Sequence, residues 1–451
     1  MPRKIYRPTR VRGNTGRDGF TIAFWTGMAV MFLAQTSSQA QSEPESSYDL
    51  RGQASARFTS SQVGRSTLYS SKDGSTDWFT DSSNDFRFLL EAETGKRTSL
   101  EIHYEIVLAS GDLREAQNDL ADQFSGEQSR ILFNRAGSSD ESRLFDLTKN
   151  IHQGQRSLVQ HRVDRFNWTW TPDWGSLIVG REAVTWGNGM VFNPMDLFNP
   201  FSPSDIEREY KMGDDLLLLQ VNGLNADTQI ILVPRRDAAS GKLGAEASSL
   251  GLKHHLTGSK NEFDFLVARH YEEIVGGMGV NGYLGQAVWR ADVVALLPDE
   301  GESSLSAVVN LDYSWVWSGK NNYGLIELYY NSDGFSGNYE NALKNERLMS
   351  LMERGEVFTL GRRYLSGSWQ VELHPLLKVF STAIVNLDDL SSQFIPRLVW
   401  EPLQNLQIHV GGNIFLGSGN TEFGGVEIPV DERRIRTKLP RSAFLWAKWY
   451  F

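Results

Sequence analysis

"SLSAVVNLDYSWVW" (residues 304–317) sets Leu305, Ala307, Val309, Leu311, Tyr313, Trp315 and Trp317 against Ser306, Val308, Asn310, Asp312 and Ser314. Successive side chains of a β-strand point to opposite faces, so this stretch reads as a strand with one greasy side and one wetter side. The i, i+3, i+4, i+7 spacing of an amphipathic helix is absent. The pattern recurs along the chain. In "DFRFLLEA" (85–92), Phe86, Phe88, Leu90 and Ala92 oppose Asp85, Arg87, Leu89 and Glu91. In "SLEIHYEIVL" (99–108), Leu100, Ile102, Tyr104, Ile106 and Leu108 oppose Glu101, His103, Glu105 and Val107. "QAVWRADVVALL" (286–297), "SGSWQVELH" (366–374) and "NLQIHVGGNI" (405–414) behave alike.

Alternation also describes a soluble sandwich with one face in water. Three features argue instead for a transmembrane β-barrel. The strands run to about ten residues, where soluble strands usually run five or six, and about ten tilted residues cross a bilayer. Trp168, Trp170, Tyr313, Trp315, Trp317, Trp400 and Trp449 gather towards the ends of the apolar faces, the depth that amphipathic rings prefer. Tight turns at 171–175, 318–322 and 401–405 trade places with long polar loops near 59–84, 110–156, 184–214, 332–356 and 416–440. Short turns at one end and long loops at the other are the pattern of a membrane barrel. The expected fold is all-β: a single transmembrane antiparallel barrel over 50–451, with long extracellular loops. Seventeen strands can be counted. Both termini on one side require an even number, so one is missed or split between about 236 and 300, giving sixteen or, preferred, eighteen.

Residues 1–19 carry six Arg/Lys against Asp18, followed by the apolar "FTIAFWTGMAVMFLA" (20–34) and a small-residue end at Ser38-Gln39-Ala40. This is the layout of a secretory signal peptide, with cleavage expected after Ala40 and a short periplasmic segment at 41–49. The remainder holds 39 Lys+Arg against 54 Asp+Glu, a formal charge of −15. So acidic a chain lacks the basic footprint of a nucleic-acid binder. The sequence contains no cysteine, which excludes disulfides, thiolate catalysis and Cys-based zinc sites.

The chain closes on "SAFLWAKWYF" (442–451), in which Phe451, Trp449, Ala447, Leu445 and Ala443 fill every second position from the end. With the leader and the alternating strands, this ending resembles Gram-negative outer-membrane β-barrels, with a size similar to the larger porins and alginate-export-type channels. The resemblance implies a bacterial outer-membrane location among lipids and lipopolysaccharide. It also implies that Phe451, Trp449, Ala447 and Leu445 signal to the barrel-assembly machinery.

One segment breaks the alternation: "VGREAVTWGNGMVFNPMDLFNPFSPSDIEREYKMGDDLLLLQ" (179–220). Its prolines cannot sit in mid-sheet, yet Phe192, Met195, Leu197, Phe198 and Phe201 are too apolar for a free loop. Residues 184–214 are therefore expected to fold inward as a constriction or plug. The candidate residues are Trp186, Asn193, Pro194, Asp196, Phe198, Asn199, Pro200, Phe201, Asp205, Glu207, Arg208, Glu209 and Lys211. An outer cap or an oligomer contact is the alternative. Arg87, Glu91, Glu101, His103, Glu105, Arg290, Asp292, Asp312, Glu372, His374, His409 and Lys448 are expected to face the lumen, along with Asp85. There they either tune selectivity or pair along the wall.

Catalysis is not expected. The histidines are scattered, and no G-x-S-x-G or H-E-x-x-H occurs; adjacent His254 and His255 face opposite ways. No cofactor or metal is expected, since "NLDDLSS" (386–392) lacks the fixed ligand spacing of a calcium loop. The reading is a channel passing or exporting a small-molecule or oligomeric solute. A non-conducting docking barrel of an envelope complex is the alternative, and an outer-membrane hydrolase the third.

Overall fold

The computed structural model of the chain describes residues 48–64, 67, 69, 77–121, 140–204, 210–237, 240–337, 339–430 and 433–451. The expected signal peptide and most of the 41–49 segment lie outside them. Strands β1 (Tyr48–Val63), β2 (Asp77–Gly95) and β3 (Thr98–Gly111) open the chain, followed by helix α1 (Asp112–Ala121). Then come β4 (Thr148–Gln153), β5 (Ser157–Trp170), β6 (Gly175–Glu182), β7 (Asp214–Asn222), β8 (Ala226–Arg236), β9 (Leu243–Thr257) and β10 (Asn261–His270). Next are β11 (Glu273–Leu284), β12 (Ala287–Pro298), β13 (Ser304–Trp317) and β14 (Lys320–Asn331), with helices α2 (Tyr339–Ala342) and α3 (Glu346–Glu353). The chain ends with β15 (Arg363–His374), β16 (Leu377–Asn386), β17 (Ser392–Leu403), β18 (Leu406–Leu416), β19 (Glu427–Val430), β20 (Arg433–Arg436) and β21 (Arg441–Tyr450).

Eighteen of these strands form one antiparallel sheet in which each pairs with its sequence neighbours, and β21 returns to pair with both β18 and β1. The sheet is closed. β4 flanks β5 outside this circuit, and β19–β20 is a separate hairpin. The strand missed in the sequence is β11. It carries Gly276, Gly277, Gly279 and Gly282, which dilute the alternation that marks its neighbours.

Three loop boundaries also move. β1 and β2 extend to Val63 and from Asp77, so much of 59–84 is paired strand. The 110–156 stretch contains α1 and β4. The β10–β11 connection, on the long-loop end, is tight at 271–272.

The two faces of the sheet differ as the alternation requires. Phe263, Phe265, Val267, Ile274, Met278, Val293, Leu305, Val309, Ile326, Leu328 and Val410 are exposed on the outside. Asp264, Asp292, Asn310, Glu327, Gln393 and His409 are buried within. The seam is made by small residues on β1. An atom placed as Cβ on Gly52 would lie 2.2 Å from the Phe451 ring, and Ala54 stands opposite Trp449. Phe451 exchanges both backbone hydrogen bonds with Gly52, at 2.7 and 2.9 Å, so the ladder runs to the last residue.

Two irregularities redirect side chains. β5 carries an extra residue between the partners of His103 and Tyr104, which brings both Asp164 and Arg165 into buried positions; strict alternation would separate them. A second shift lies between Glu372 and His374. The expected inward alternation is lost there: His374 is exposed and its Nδ1 accepts from the Leu376 N–H at 3.2 Å.

Candidate functional site

Between β6 and β7 the chain leaves the ladder for residues 183–213, and its described parts pack against the inner faces of distant strands. Trp186 is buried over Gly251 of β9, where a Cβ would come within 3.1 Å of the indole. Its Nε1–H donates to Gln229 of β8 at 2.6 Å. Asn188 donates its backbone N–H to Asp292 of β12 at 2.6 Å and its amide to Asp292 and Asp264 at 2.8 and 3.3 Å. Three successive backbone N–H groups, of Met190, Val191 and Phe192, then converge on the Glu327 carboxylate of β14 at 2.7–3.2 Å. Phe192 stacks on Tyr329 at 4.4 Å and leans on Tyr364 of β15 at 5.3 Å.

The return leg is apolar and then charged. Met195, Leu197 and Phe198 join a buried cluster with Trp186, Leu218, Ile231 and Val275. Phe198 meets the Trp186 and His270 rings edge-on at 5.2 and 5.8 Å. Asn193 donates to the Trp186 carbonyl at 2.9 Å, and Asn199 adopts φ 53. Pro194, Pro200, Phe201 and Pro203 line a small cavity with Tyr329 and Glu356. Lys211 donates to Asp196 at 2.5 Å and to the Val184 carbonyl, tying the two legs together. Tyr210 lies against the opposite flank, 4.3 Å from the Arg87 guanidinium and 6.3 Å from the His103 ring. Asp205, Glu207, Arg208 and Glu209 lie outside the described residues.

The expected lumen charges are mostly held in pairs along the wall. Arg87 bonds Asp164 at 2.6 Å, Glu101 bonds His103 at 2.8 Å, and Glu105 bonds Arg162. Arg290 bonds Asp312, and Asp85 accepts from Ser55 at 3.1 Å. Asp292 serves the inward segment. Glu91 pairs with Arg51 near the turn end and is half exposed, as Glu372 is near Asn321. His409 and Lys448 are buried beside Trp446, the ring at 4.9 Å and the ammonium at 3.5 Å from its centroid.

Asn188, Gln229, Asp264, Asn310 and Glu327 were not among the sequence candidates. Glu327 had a signal: it is the one acid in the run "YGLIELYY" (323–330).

Gly279 of β11 makes room for the Asn188 anchor. A Cβ there would fall 2.6 Å from Asp292 Oδ1 and 2.7 Å from Asn188 Nδ2. Gly279→Leu is expected to eject Asn188 while leaving the β10–β12 ladder paired. Protease cleavage near residue 188 in the folded barrel is the measurement, and protection equal to wild type would count against this packing.

Burial pushes the Asp196 carboxyl up to about 6, ahead of the opposing attraction of Lys211, and burial likewise lowers the Lys211 ammonium. A carboxyl raised in the docked state binds its proton more readily there than when released. Docking is therefore expected to strengthen as pH falls from about 6 towards 4. Protease cleavage near residue 196 in the folded barrel should slow across that window, and Asp196→Asn should weaken the dependence.

No protein-family model and no curated protein matches this chain. Among solved structures it is similar to OccAB1 of Acinetobacter baumannii, at 8% identity and a TM-score of 0.50, covering 91% of this chain and 99% of that one. It is also similar to OccK5 (OpdH) of Pseudomonas aeruginosa, at 10% identity and a TM-score of 0.49, covering 89% and 98%. The outer membrane protein opdK of Pseudomonas aeruginosa aligns at 7% identity and a TM-score of 0.46, covering 89% and 98%. At such identities the likeness is one of fold.

Proposed function

We propose that the chain is a bacterial outer-membrane channel through which a solute passes passively, its lumen narrowed by residues 183–213. The observation that carries this reading is a polypeptide segment pinned by buried polar bonds inside a closed barrel with an apolar exterior. A sheet without edges is the strand architecture that lipid accepts, because every backbone polar group is satisfied within it. The exposed apolar band matches the outward face of such a barrel. A segment held in the lumen by side-chain bonds to β8–β14 reduces the cross-section without sealing the wall. Charges paired along β2, β3 and β5 stiffen that flank, and those facing water bias the ions that pass.

Membrane lipids and lipopolysaccharide would surround the barrel. The seam residues Phe451, Trp449, Ala447 and Leu445 would be the part presented to the assembly machinery. Planar-bilayer recording tests the reading. Wild-type protein is expected to give unitary current steps, and deletion of 190–206 to enlarge them. A barrel that inserts without steps in either form would be a non-conducting docking component instead.

A further inference from the structure

We propose that the outward face of residues 143–153, with the adjoining ends of β5 and β8, binds the phosphorylated headgroup of an outer-leaflet lipid. This rests on the membrane reading above. β6 and β7 are 8 and 9 residues long beside β5 of 14 and β8 of 11. Above them the wall is completed by a patch from the preceding loop. β4 pairs with β5, Arg143 bridges to Arg235, and the Arg236 N–H donates to the Ser142 carbonyl at 2.8 Å. Between these attachments the backbone is held by buried groups: Phe145 and Leu147 donate to Asp215 and Asp140, each at 2.8 Å.

The outward face is basic and apolar together. Lys149 stands opposite His161, which stands opposite Ile106 and touches the Tyr104 ring on the lipid-facing side of β3. His152 and Arg236 are exposed, as are Phe145 and Ile151. Asp146 is the one carboxylate in residues 143–153. Arg269, another outward base, is matched within the protein by Asp299 at 2.5–2.7 Å. Lys149 has no carboxylate partner among the described residues, and His161 Nδ1 is buried without a hydrogen bond. A lysine or arginine on the lipid face is costly at mid-bilayer and costs little at the interface, so Lys149 and Arg236 belong at headgroup depth. A lipid phosphate there supplies the missing negative charge, and its acyl chains cover Phe145 and Ile151.

The test uses the detergent-solubilised full barrel and native mass spectrometry, with bisphosphorylated lipid A or its dephosphorylated form added. Wild type is expected to retain one phosphorylated lipid and to retain the dephosphorylated form poorly. Lys149→Gln with His161→Gln is expected to retain about fivefold less, the about 1 kcal/mol that one lysine contributes near a charged surface, while Lys149→Arg retains the wild-type level. Equal retention of both lipids, or full retention by the double variant, would overturn the proposal. Unboiled gel mobility keeps the two readings apart: a wild type that is soluble without detergent fails the membrane reading, whereas a folded barrel that holds no lipid fails this one alone.

Discussion

Replacing Glu327 with alanine is expected to free the 188–192 arm from β14 and to raise the unitary conductance of the barrel. The carboxylate receives the N–H groups of Met190, Val191 and Phe192 and the amide of Asn310, and it is 1% exposed. Hydrogen bonds to a charged group contribute about 1.5–3 kcal/mol each, and donors left unsatisfied in a buried site add a penalty. Loss of three such bonds exceeds what the Phe192–Tyr329 stack can hold, since an aromatic pair supplies about 0.5–1.5 kcal/mol beyond its burial. Glu327→Gln keeps one acceptor oxygen but turns an NH2 towards the arm, so an intermediate conductance is expected. Conductance at the wild-type level in both variants, with the barrel folded, would show that the arm is held by its apolar leg instead.

Replacing Arg181 with methionine should have the largest effect on stability. Arg181 is 2% exposed and holds Asp215 at 2.8 and 3.1 Å, Asp140 at 3.0 Å and the Phe145 carbonyl at 2.7 Å. Around it Arg143 pairs with Asp140, and Arg235 pairs with Asp214 at 2.7 Å. Three acids and three bases are balanced where the patch meets the short strands. Removing one base leaves a buried carboxylate uncompensated, a loss of about 3–5 kcal/mol. The folded, fast-migrating band should disappear at a lower temperature than in wild type. Adding Asp215→Asn should recover part of the difference by removing the stranded charge. A single variant as heat-resistant as wild type would mean that the patch is held by β4 pairing alone.

The class of fold was legible because β-strand periodicity is local. Leu305 to Trp317 announce a two-faced strand without any knowledge of the neighbours, and "SAFLWAKWYF" announces the seam strand in the same way. β11 was not legible, because its glycines dilute the alternation, and the need for one of them is set at a distance: Gly279 is small for the sake of Asn188, 91 positions earlier. The extra residue at Asp164 and the shift before His374 escaped detection for a related reason, since a bulge is defined by what stands across the ladder.

The sequence by itself determined that the chain alternates, exposes grease on one side and breaks pattern at 184–214. Only the tertiary structure decided which charges meet and where the broken segment is anchored. Alternation states the face a side chain takes, whereas a hydrogen bond depends on distances set by eighteen strands closing on one another. Glu327 and Met190 are 137 positions apart, and nothing in either neighbourhood specifies the other until the sheet has rolled shut.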